Sequence, residues 1–215
     1  MIKVKICGVT QSAHALAAAS AGADFIGIVF AESPRRLTIE QAMPVVEAVR
    51  RLGDARPRVV GVFANASPHE VNATAEALDL DLVQLSGDEP RDVVGQVRRP
   101  VIKAVHLPAG QPAKAVLPAV REAMSRWRDA KALPLLDARS AGRYGGTGTA
   151  IDWEIAMELA EEYDFLLAGG LRPESVGEAV KRIRPWGVDV SSGVETAGVK
   201  DPEKVRAFVE AARQA

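Results

Sequence analysis

Two side chains with complementary proton chemistry each close a stretch that is typical of a buried β-strand. Cys7, the only cysteine, follows the apolar run Ile2–Ile6, and Asp137 follows Leu133–Leu136. A thiolate can remove a carbon-bound proton if its pKa falls from about 8.5, and a carboxyl group can act as a general acid if its pKa is raised. The pair predicts acid–base catalysis; the structural alternatives are a small buried hydrophobe for Cys7 and a turn cap for Asp137.

Other polar side chains occupy comparable places at or near predicted strand ends. Asp189 ends the last predicted strand, and Arg35, which follows the second strand, can hold a carboxylate through two parallel hydrogen bonds. The alternative for Asp189 is a carboxylate that accepts hydrogen bonds from neighbouring loop N–H groups, and the alternative for Arg35 is an arginine that is simply solvated. Lys103 lies among apolar residues of the fifth strand, so if it is buried it needs a partner, either a carboxylate at the strand ends or a ligand.

Two short turns rich in glycine and serine follow the seventh and eighth predicted strands. Glycine permits close approach of the backbone, serine adds hydroxyl donors, and barrel enzymes often bind phosphate at this place. The two turns together favour a phosphorylated ligand over a purely conformational role for the glycines. The candidate residues, which we call the phosphate turns, are Gly169 and Gly170 in the first and Ser191, Ser192 and Gly193 in the second.

The elements that must position these side chains follow a repeated βα pattern. Eight stretches rich in Val, Ile and Leu are each followed by a helix-like segment, and runs that are apolar throughout are typical of parallel strands covered on both faces. The pattern predicts a (β/α)8 TIM barrel, formed as a single domain by residues 1–215. An open doubly wound sheet is the alternative, but no GxGxxG motif follows the first strand. The predicted strands are Ile2–Ile6, Asp24–Phe30, Arg58–Phe63, Asp81–Leu85, Val101–Val105, Leu133–Leu136, Phe165–Ala168 and Gly187–Val190.

Helix-start signals agree with this pattern in some segments and not in others. The segment Ser67–Glu70 combines an N-cap serine, a first-turn proline and a capping-box acid. Pro44 and Pro118, by contrast, are expected to interrupt the helices in which they lie. The glycine-rich stretch 138–148, after the sixth strand, is long enough to be a lid over a ligand.

Composition narrows the classes of function. The chain has 27 basic and 28 acidic residues and a net charge of −1, so no overall field attracts it to nucleic acid or to an anionic membrane. We therefore expect a small-molecule substrate. The first residues lack the apolar core of a signal peptide, and no segment is apolar enough to span a membrane, which predicts a soluble, cytoplasmic protein. One cysteine and three histidines indicate no disulfide and no metal site.

Motifs distributed over nearly the whole chain resemble those of the phosphoribosylanthranilate isomerases, barrel enzymes of tryptophan biosynthesis. No single motif is decisive, but their order and spacing over eight units are specific. They are KICGVT at residues 5–10, SPR at 33–35, VGVF at 60–63, VQL at 83–85, IKA at 102–104, LD at 136–137, GGTG at 145–148, DW at 152–153, AGGL at 168–171 and DVSSGVE at 189–195.

The resemblance implies an Amadori rearrangement that needs no cofactor and no metal. Asp137 is the implied general acid and Cys7 the implied general base. Arg35 is expected to hold the anthranilate carboxylate, Asp189 to position the sugar or the anthranilate amine, and the phosphate turns to hold the phosphate. The sequence does not indicate an oligomeric state.

The chain departs from the family at Ser86, where these enzymes usually carry a histidine before the glycine. A serine donates and accepts hydrogen bonds but carries no charge near neutral pH. We therefore keep two alternatives open. One is a related phosphosugar isomerase or aldolase with a shifted or dual substrate range, and the other is a barrel that binds a phosphorylated ligand without catalysis.

Overall fold

Eight parallel strands close into a barrel in this computed structural model, which describes residues 1–107, 113–138 and 153–215. Each strand pairs with the next in chain order, and β8 closes the ring on β1, where Asp189 lies in register with Lys5. The predicted fold class is confirmed, and no strand end differs from its predicted position by more than two residues. The strands are β1 (Lys3–Cys7), β2 (Phe25–Val29), β3 (Arg58–Phe63), β4 (Leu82–Leu85), β5 (Val101–Leu107), β6 (Leu133–Ala138), β7 (Leu166–Ala168) and β8 (Gly187–Val190).

Helices follow the strands and cover the outside of the barrel. The capping box predicted at the start of α3 is present, because Glu70 N donates to Ser67 Oγ (3.3 Å) and Ser67 N donates to Glu70 Oε2 (2.9 Å). Within the described residues, no helix combines the length and the apolar character needed to cross a bilayer. The helices are α1 (Ser12–Ser20), α2 (Ile39–Arg50), α3 (Pro68–Ala77), α4 (Val93–Gln96), α5 (Ala113–Asp129), α6 (Trp153–Ala160), α7 (Pro173–Ile183) and α8 (Pro202–Arg213).

The predicted interruptions at two prolines are wrong. Helix α2 continues through Pro44, and α5 continues through Pro118. A proline inside a helix costs about 3 kcal/mol, because it removes one N–H donor and crowds the preceding turn. Near Pro44, however, α2 buries Val45, Val46 and Val49 in the core, and burial of each such side chain contributes about 1.5–3 kcal/mol. Packing therefore outweighs the local cost.

Alternation along each strand separates the outer core from the barrel interior. In β1, Val4 and Ile6 face the helices, and Lys3, Lys5 and Cys7 alternate with them on the inner side. A second cluster of buried side chains, separate from the outer core, packs inside the barrel. Its buried members are Phe25, Val60, Leu82, Ile102, Ala104, Leu135, Leu166 and Ala168.

A short hairpin that the sequence analysis did not predict follows β8. Its antiparallel strands are β9 (Glu195–Thr196) and β10 (Val199–Lys200), joined by Ala197 and Gly198. Both turn residues have positive φ angles, 51° and 80°, as a two-residue hairpin turn requires. The hairpin returns the chain to Asp201, whose side chain accepts hydrogen bonds from the first turn of α8.

Candidate active site

A cavity of about 700 Å³, counted out to its open mouth, lies at the carboxyl ends of the barrel strands. This is the end at which barrel enzymes carry their active sites. The two predicted proton-transfer residues, the predicted carboxylate-binding arginine and one serine of the phosphate turns all lie in its wall. The lining residues are Cys7, Val29, Ala31, Glu32, Ser33, Arg35, Val62, Ala64, Gln84, Ser86, Ala104, Leu135, Asp137, Asp189 and Ser191.

Cys7 lies in an apolar part of this wall, packed with Val29 and Val62. Burial raises the pKa of the Cys7 thiol, because the thiolate is poorly solvated there. The positive charges of Lys5 and Lys200 oppose this shift without reversing it. Cys7 is therefore placed to meet a ligand, and it is mainly a neutral thiol at neutral pH.

Lys5 and Asp189 form a buried ion pair at the cavity, whose wall includes Asp189. Lys5 Nζ donates to Asp189 Oδ1 at 2.8 Å, and the Lys5 side chain is fully buried. Burial alone would lower the pKa of Lys5, but the Asp189 carboxylate and the Cys7 sulfur outweigh it, so the pKa is raised. Burial raises the pKa of Asp189, with Lys5 opposing and the nearby Asp137 carboxylate adding to the shift.

Gly27 of β2 makes room for the thiol and the ammonium group. A Cβ atom at this position would lie 3.0 Å from Cys7 Sγ and 3.2 Å from Lys5 Nζ. Any side chain on Gly27 would therefore displace both groups. Because Gly27 has no side chain, the backbone of β2 can pack directly against the Cys7 thiol and the Lys5 ammonium group.

Arg35 reaches the cavity from the loop after β2, and its stem passes over Gly8. Gly8 has a φ angle of 72°, and a Cβ atom there would lie 2.4 Å from Arg35 Cδ. Ser33 Oγ accepts a hydrogen bond from Arg35 N (3.1 Å). The guanidinium group makes a two-point ion pair with Glu195 of the hairpin, at 2.7 Å from Nε and 2.6 Å from Nη2.

Asp137, on the inner side of β6, is the next-to-last residue of its strand, and Asp189 is the next-to-last of β8. The strands β1 and β6 are separated by β7 and β8, so Cys7 and Asp137 approach the cavity from different sides. The lid predicted at 138–148 lies, apart from its first residue, outside the described residues.

The second phosphate turn packs against the chain that follows the first. Gly169 and Gly170 have φ angles of 99° and 68°, which residues with a side chain rarely adopt. A Cβ atom on Gly193 would lie 1.9 Å from Leu171 O, so the second turn packs against the chain just after the first. Ser191 lines the cavity. The other four candidates, Gly169, Gly170, Ser192 and Gly193, are not among the residues that line it.

Lys103, by contrast, faces away from the cavity. Its ammonium group lies 3.0 Å from Glu89 Oε2, donates to Gly87 O (2.7 Å), and lies 5.3 Å from the centre of the Trp127 ring. The predicted need for a partner is met by Glu89, a buried carboxylate in the loop after β4. Neither residue of this pair lines the cavity.

Four polar residues of the site were missed by the sequence analysis. Lys5 could have been found from the sequence, because residues two apart in a strand face the same side and Cys7 was predicted to face the site. Gln84, on the inner side of β4, donates from Nε2 to Ser86 Oγ (3.0 Å). Lys200 gave no local signal, and Glu195 gave none beyond its place in the DVSSGVE motif, because its partner Arg35 is 160 positions away along the chain.

Comparisons with known proteins agree on one family. The model described as "PRAI: N-(5'phosphoribosyl)anthranilate (PRA) isomerase" matches residues 4–211. An N-(5'-phosphoribosyl)anthranilate isomerase of Dehalococcoides mccartyi is 44% identical over 215 residues, covering 100% of this chain and 97% of the relative. That of Roseiflexus castenholzii is 46% identical over 218 residues, with coverage of 99% and 98%.

Solved structures give the same result. The crystal structure of phosphoribosyl anthranilate isomerase from Thermotoga maritima has a TM-score of 0.85 and 33% identity, with full coverage of both chains. A second similar structure, a phosphoribosyl anthranilate isomerase in complex with reduced 1-(o-carboxyphenylamino)-1-deoxyribulose 5-phosphate, has a TM-score of 0.82 and 31% identity, again with full coverage.

Proposed function

We propose that this chain, which belongs to the N-(5'-phosphoribosyl)anthranilate (PRA) isomerase family, converts PRA into 1-(2-carboxyphenylamino)-1-deoxyribulose 5-phosphate. The observation that carries the proposal is one cavity at the carboxyl ends of the strands whose wall holds the Cys7 thiol, the carboxyl groups of Asp137 and Asp189, and Arg35. The reaction is an internal redox isomerisation of an aminoaldose to an aminoketose. Its proton transfers can all be carried out by side chains.

The first step opens the sugar ring. Asp137 gives a proton to the ring oxygen as the bond between that oxygen and C1 breaks, and the nitrogen lone pair forms a protonated Schiff base with C1. The step requires Asp137 in its protonated form, and it leaves a carboxylate beside the ligand. The charge of the iminium group then makes the C2 proton acidic.

Cys7 carries the second step. Its thiolate removes the proton from C2, and the electron pair moves to the C1–C2 bond and the nitrogen, which gives a neutral enolamine. Tautomerisation of the C2 hydroxyl to a ketone, with a proton added at C1, completes the reaction. A base is needed at C2 and an acid at the ring oxygen, which matches two groups approaching the cavity from different strands.

The other groups bind and orient the substrate. Arg35 is proposed to bind the anthranilate carboxylate, and Asp189, whose Oδ1 is held by Lys5, to accept a hydrogen bond from the sugar or the amine. The phosphate turns are proposed to hold the phosphate through backbone N–H groups and the Ser191 hydroxyl. The ligand is therefore a small molecule with negative charge at both ends.

A Schiff-base aldolase is less well supported by the positions of the lysines. Lys103, the strand lysine that the sequence analysis singled out, lies outside the barrel interior and pairs with Glu89. Lys5 is near the cavity, but its raised pKa keeps it an ammonium ion, which is not a nucleophile. An isomerase needs no lysine nucleophile.

The direct test is conversion of PRA by the purified protein. Substrate and product are isomers with the same mass, so 13C NMR is the suitable readout. We expect the anomeric C1 signal to be replaced by a methylene signal and the C2 alcohol signal by a ketone signal. No change in the spectrum, with the protein folded, would contradict the proposal.

The titration profile of Cys7 should reflect its raised pKa. Titration of the single thiol by its thiolate absorbance should give a value above the ordinary thiol pKa of about 8.5, because burial disfavours the thiolate. Activity is a less direct readout, since the mechanism also requires a protonated Asp137 and higher pH acts on both groups. A thiol that is fully ionised at neutral pH would contradict this prediction.

Ser86→His should change activity only modestly. Ser86 accepts a hydrogen bond from Gln84 and its carbonyl oxygen lies 3.0 Å from His106 Nε2, so it is not one of the proposed proton-transfer groups. Loss of one neutral hydrogen bond changes a free energy by about 0.5–1.5 kcal/mol, which corresponds to a change in kcat/KM of at most about tenfold. Kinetics of both proteins on PRA test this. An inactive parent protein that Ser86→His activates would show that an imidazole is required.

A further inference from the structure

Arg35 presents two different edges to its surroundings. Its side edge, formed by Nε and Nη2, is occupied by Glu195 at 2.7 and 2.6 Å. Its end edge is formed by Nη1 and the second hydrogen of Nη2, and no residue in the described part of the chain accepts a hydrogen bond from Nη1. A carboxylate can bind bidentately to either edge of a guanidinium group. Glu195 thus leaves one complete edge for a second carboxylate.

Glu195 lies behind the arginine as seen from the cavity. Arg35 lines the cavity, whereas Glu195 does not, and the Glu195 side chain is only 6% exposed. A ligand in the cavity therefore meets the arginine and not its partner. Glu195 therefore acts on a bound ligand without touching it, by holding the guanidinium group in place.

Lys200 fixes Glu195 in turn. The two residues face each other across the hairpin β9–β10, and Lys200 Nζ contacts Glu195 Oε1. Lys200 also donates to Ser191 O (3.0 Å), which ties the hairpin to the second phosphate turn. Its side chain is only 2% exposed. Breaking up such a buried set of charges is costly, so the set holds one arrangement.

The charges of this cluster add up to one net positive charge. Arg35 and Lys200 carry one positive charge each, and Glu195 carries one negative charge. Burial raises the pKa of Glu195, but hydrogen bonds from Arg35 and Lys200 outweigh this effect and lower it, so Glu195 stays ionised at neutral pH. The positive charge is therefore available to an anion that meets Arg35 in the cavity.

We propose that Glu195, held by Lys200, is a positioning residue that makes the site selective for a substrate with a carboxylate. It fixes the guanidinium plane of Arg35 by its side edge, so that the end edge receives the substrate carboxylate bidentately. The proposal rests on the proposed function, in which Arg35 binds the anthranilate carboxylate. It adds that recognition of this group depends on a residue that the ligand does not touch.

The test compares two substrates that differ only in the carboxylate: PRA and N-(5-phosphoribosyl)aniline. Glu195→Gln should lower kcat/KM for PRA by about ten- to a hundredfold, mainly through KM, because a charge-assisted two-point contact loses its alignment. The value for the aniline substrate should change by less than about twofold, since it makes no contact with Arg35 through a carboxylate. The preference for PRA should therefore collapse.

A second variant guards against loss of folding. Glu195→Gln combined with Lys200→Met removes one charge of each sign and leaves no unpaired ammonium in the hairpin. It should show the same loss of preference for PRA. If the single variant is unfolded, this double variant decides the outcome.

Asp81→Asn is the matched control. Asp81 makes a similar two-point ion pair with Arg56, at 2.6 and 2.8 Å, but at the amino-terminal end of the strands. The arginine side chains are similarly exposed, 23% for Arg56 and 21% for Arg35. Asp81→Asn should lower thermal stability without changing the ratio of kcat/KM for the two substrates.

Two results would overturn the inference: an unchanged kcat/KM for PRA in the Glu195 variants, or an equal loss for both substrates. Failure of the proposed function has a different signature, namely no turnover of PRA by the parent protein. In that case the same comparison uses Kd values for the reduced product and for its counterpart without the carboxyl group. A loss of preference confined to the Glu195 variants would still support the inference, and equal losses would end it.

Discussion

Cys7→Ser and Asp137→Asn should each lower kcat for PRA by about a hundredfold or more. Serine is nearly the same size as cysteine, but its hydroxyl group ionises far less readily, so it cannot supply the base for C2. Asparagine keeps the shape of Asp137 and loses the proton that the ring oxygen requires. Proton transfer by a positioned side chain contributes about 10²–10⁴-fold to a rate, and each variant removes one of the two groups that carry it out. Steady-state kinetics on PRA measure the effect.

Asp164→Asn provides a control with the same chemical change at an exposed position outside the cavity. It should keep full activity. Thermal unfolding of all three variants checks that each is folded under the conditions of the assay. Rates within a few-fold of the parent for either Cys7→Ser or Asp137→Asn, in folded protein, would contradict the assigned role of that residue.

The barrel was predictable because its strands are long enough to show a pattern and are covered on both faces. The runs beginning at Arg58 and Gly187 were predicted with their observed bounds. Strand ends were less predictable, as in β5 and β6, since pairing with a neighbouring strand extends a strand beyond its apolar run. The prolines show the same limit, because the packing that keeps α2 continuous at Pro44 depends on contacts with distant segments.

The parity of the strands explains which lysine was recognised and which was overlooked. The sequence analysis singled out Lys103 because it is a lysine in an apolar strand. Its neighbour Ala104 lines the cavity, however, so Lys103 faces the helices. Lys5 has the same parity as Cys7 and faces inward. The alternation rule, applied to both strands, is sufficient to place Lys5 on the same side of β1 as the thiol from the sequence alone.

The support of Arg35 could not be predicted in the same way. Arg35 and Glu195 are 160 positions apart, and they meet only because closure of the barrel brings β8 and its hairpin next to β1 and β2. Glycine content indicated the phosphate turns, but the contact of Gly193 with Leu171 O depends on the packing of two loops. The types of side chain at the strand ends could be predicted from the sequence, whereas the contacts between loops depend on how the barrel closes.

Lys5→Met should affect both stability and the pH profile. The variant leaves Asp189 buried without its partner, and removing one member of a buried ion pair costs about 3–5 kcal/mol in the free energy of unfolding. Burial then holds the pKa of Asp189 in the folded state well above its value in the unfolded chain. Above about pH 4 the folded variant therefore binds more protons than the unfolded variant does. Its free energy of unfolding should therefore fall as pH rises from about 4, the ordinary value of an aspartate.

The same substitution removes a positive charge that lowers the pKa of Cys7. The titration profile of the thiol, followed by thiolate absorbance, should therefore move to higher pH in Lys5→Met, and activity should be reduced at neutral pH. Lys3→Met is the matched control, because Lys3 lies on the same strand and pairs with Asp24 (2.9 Å), but its side chain is 44% exposed. An exposed pair contributes about 0–1 kcal/mol, so this control should unfold close to the parent protein and keep its pH profile. Equal stability of the two variants, or an unshifted profile in Lys5→Met, would show that the buried pair does not govern the thiol.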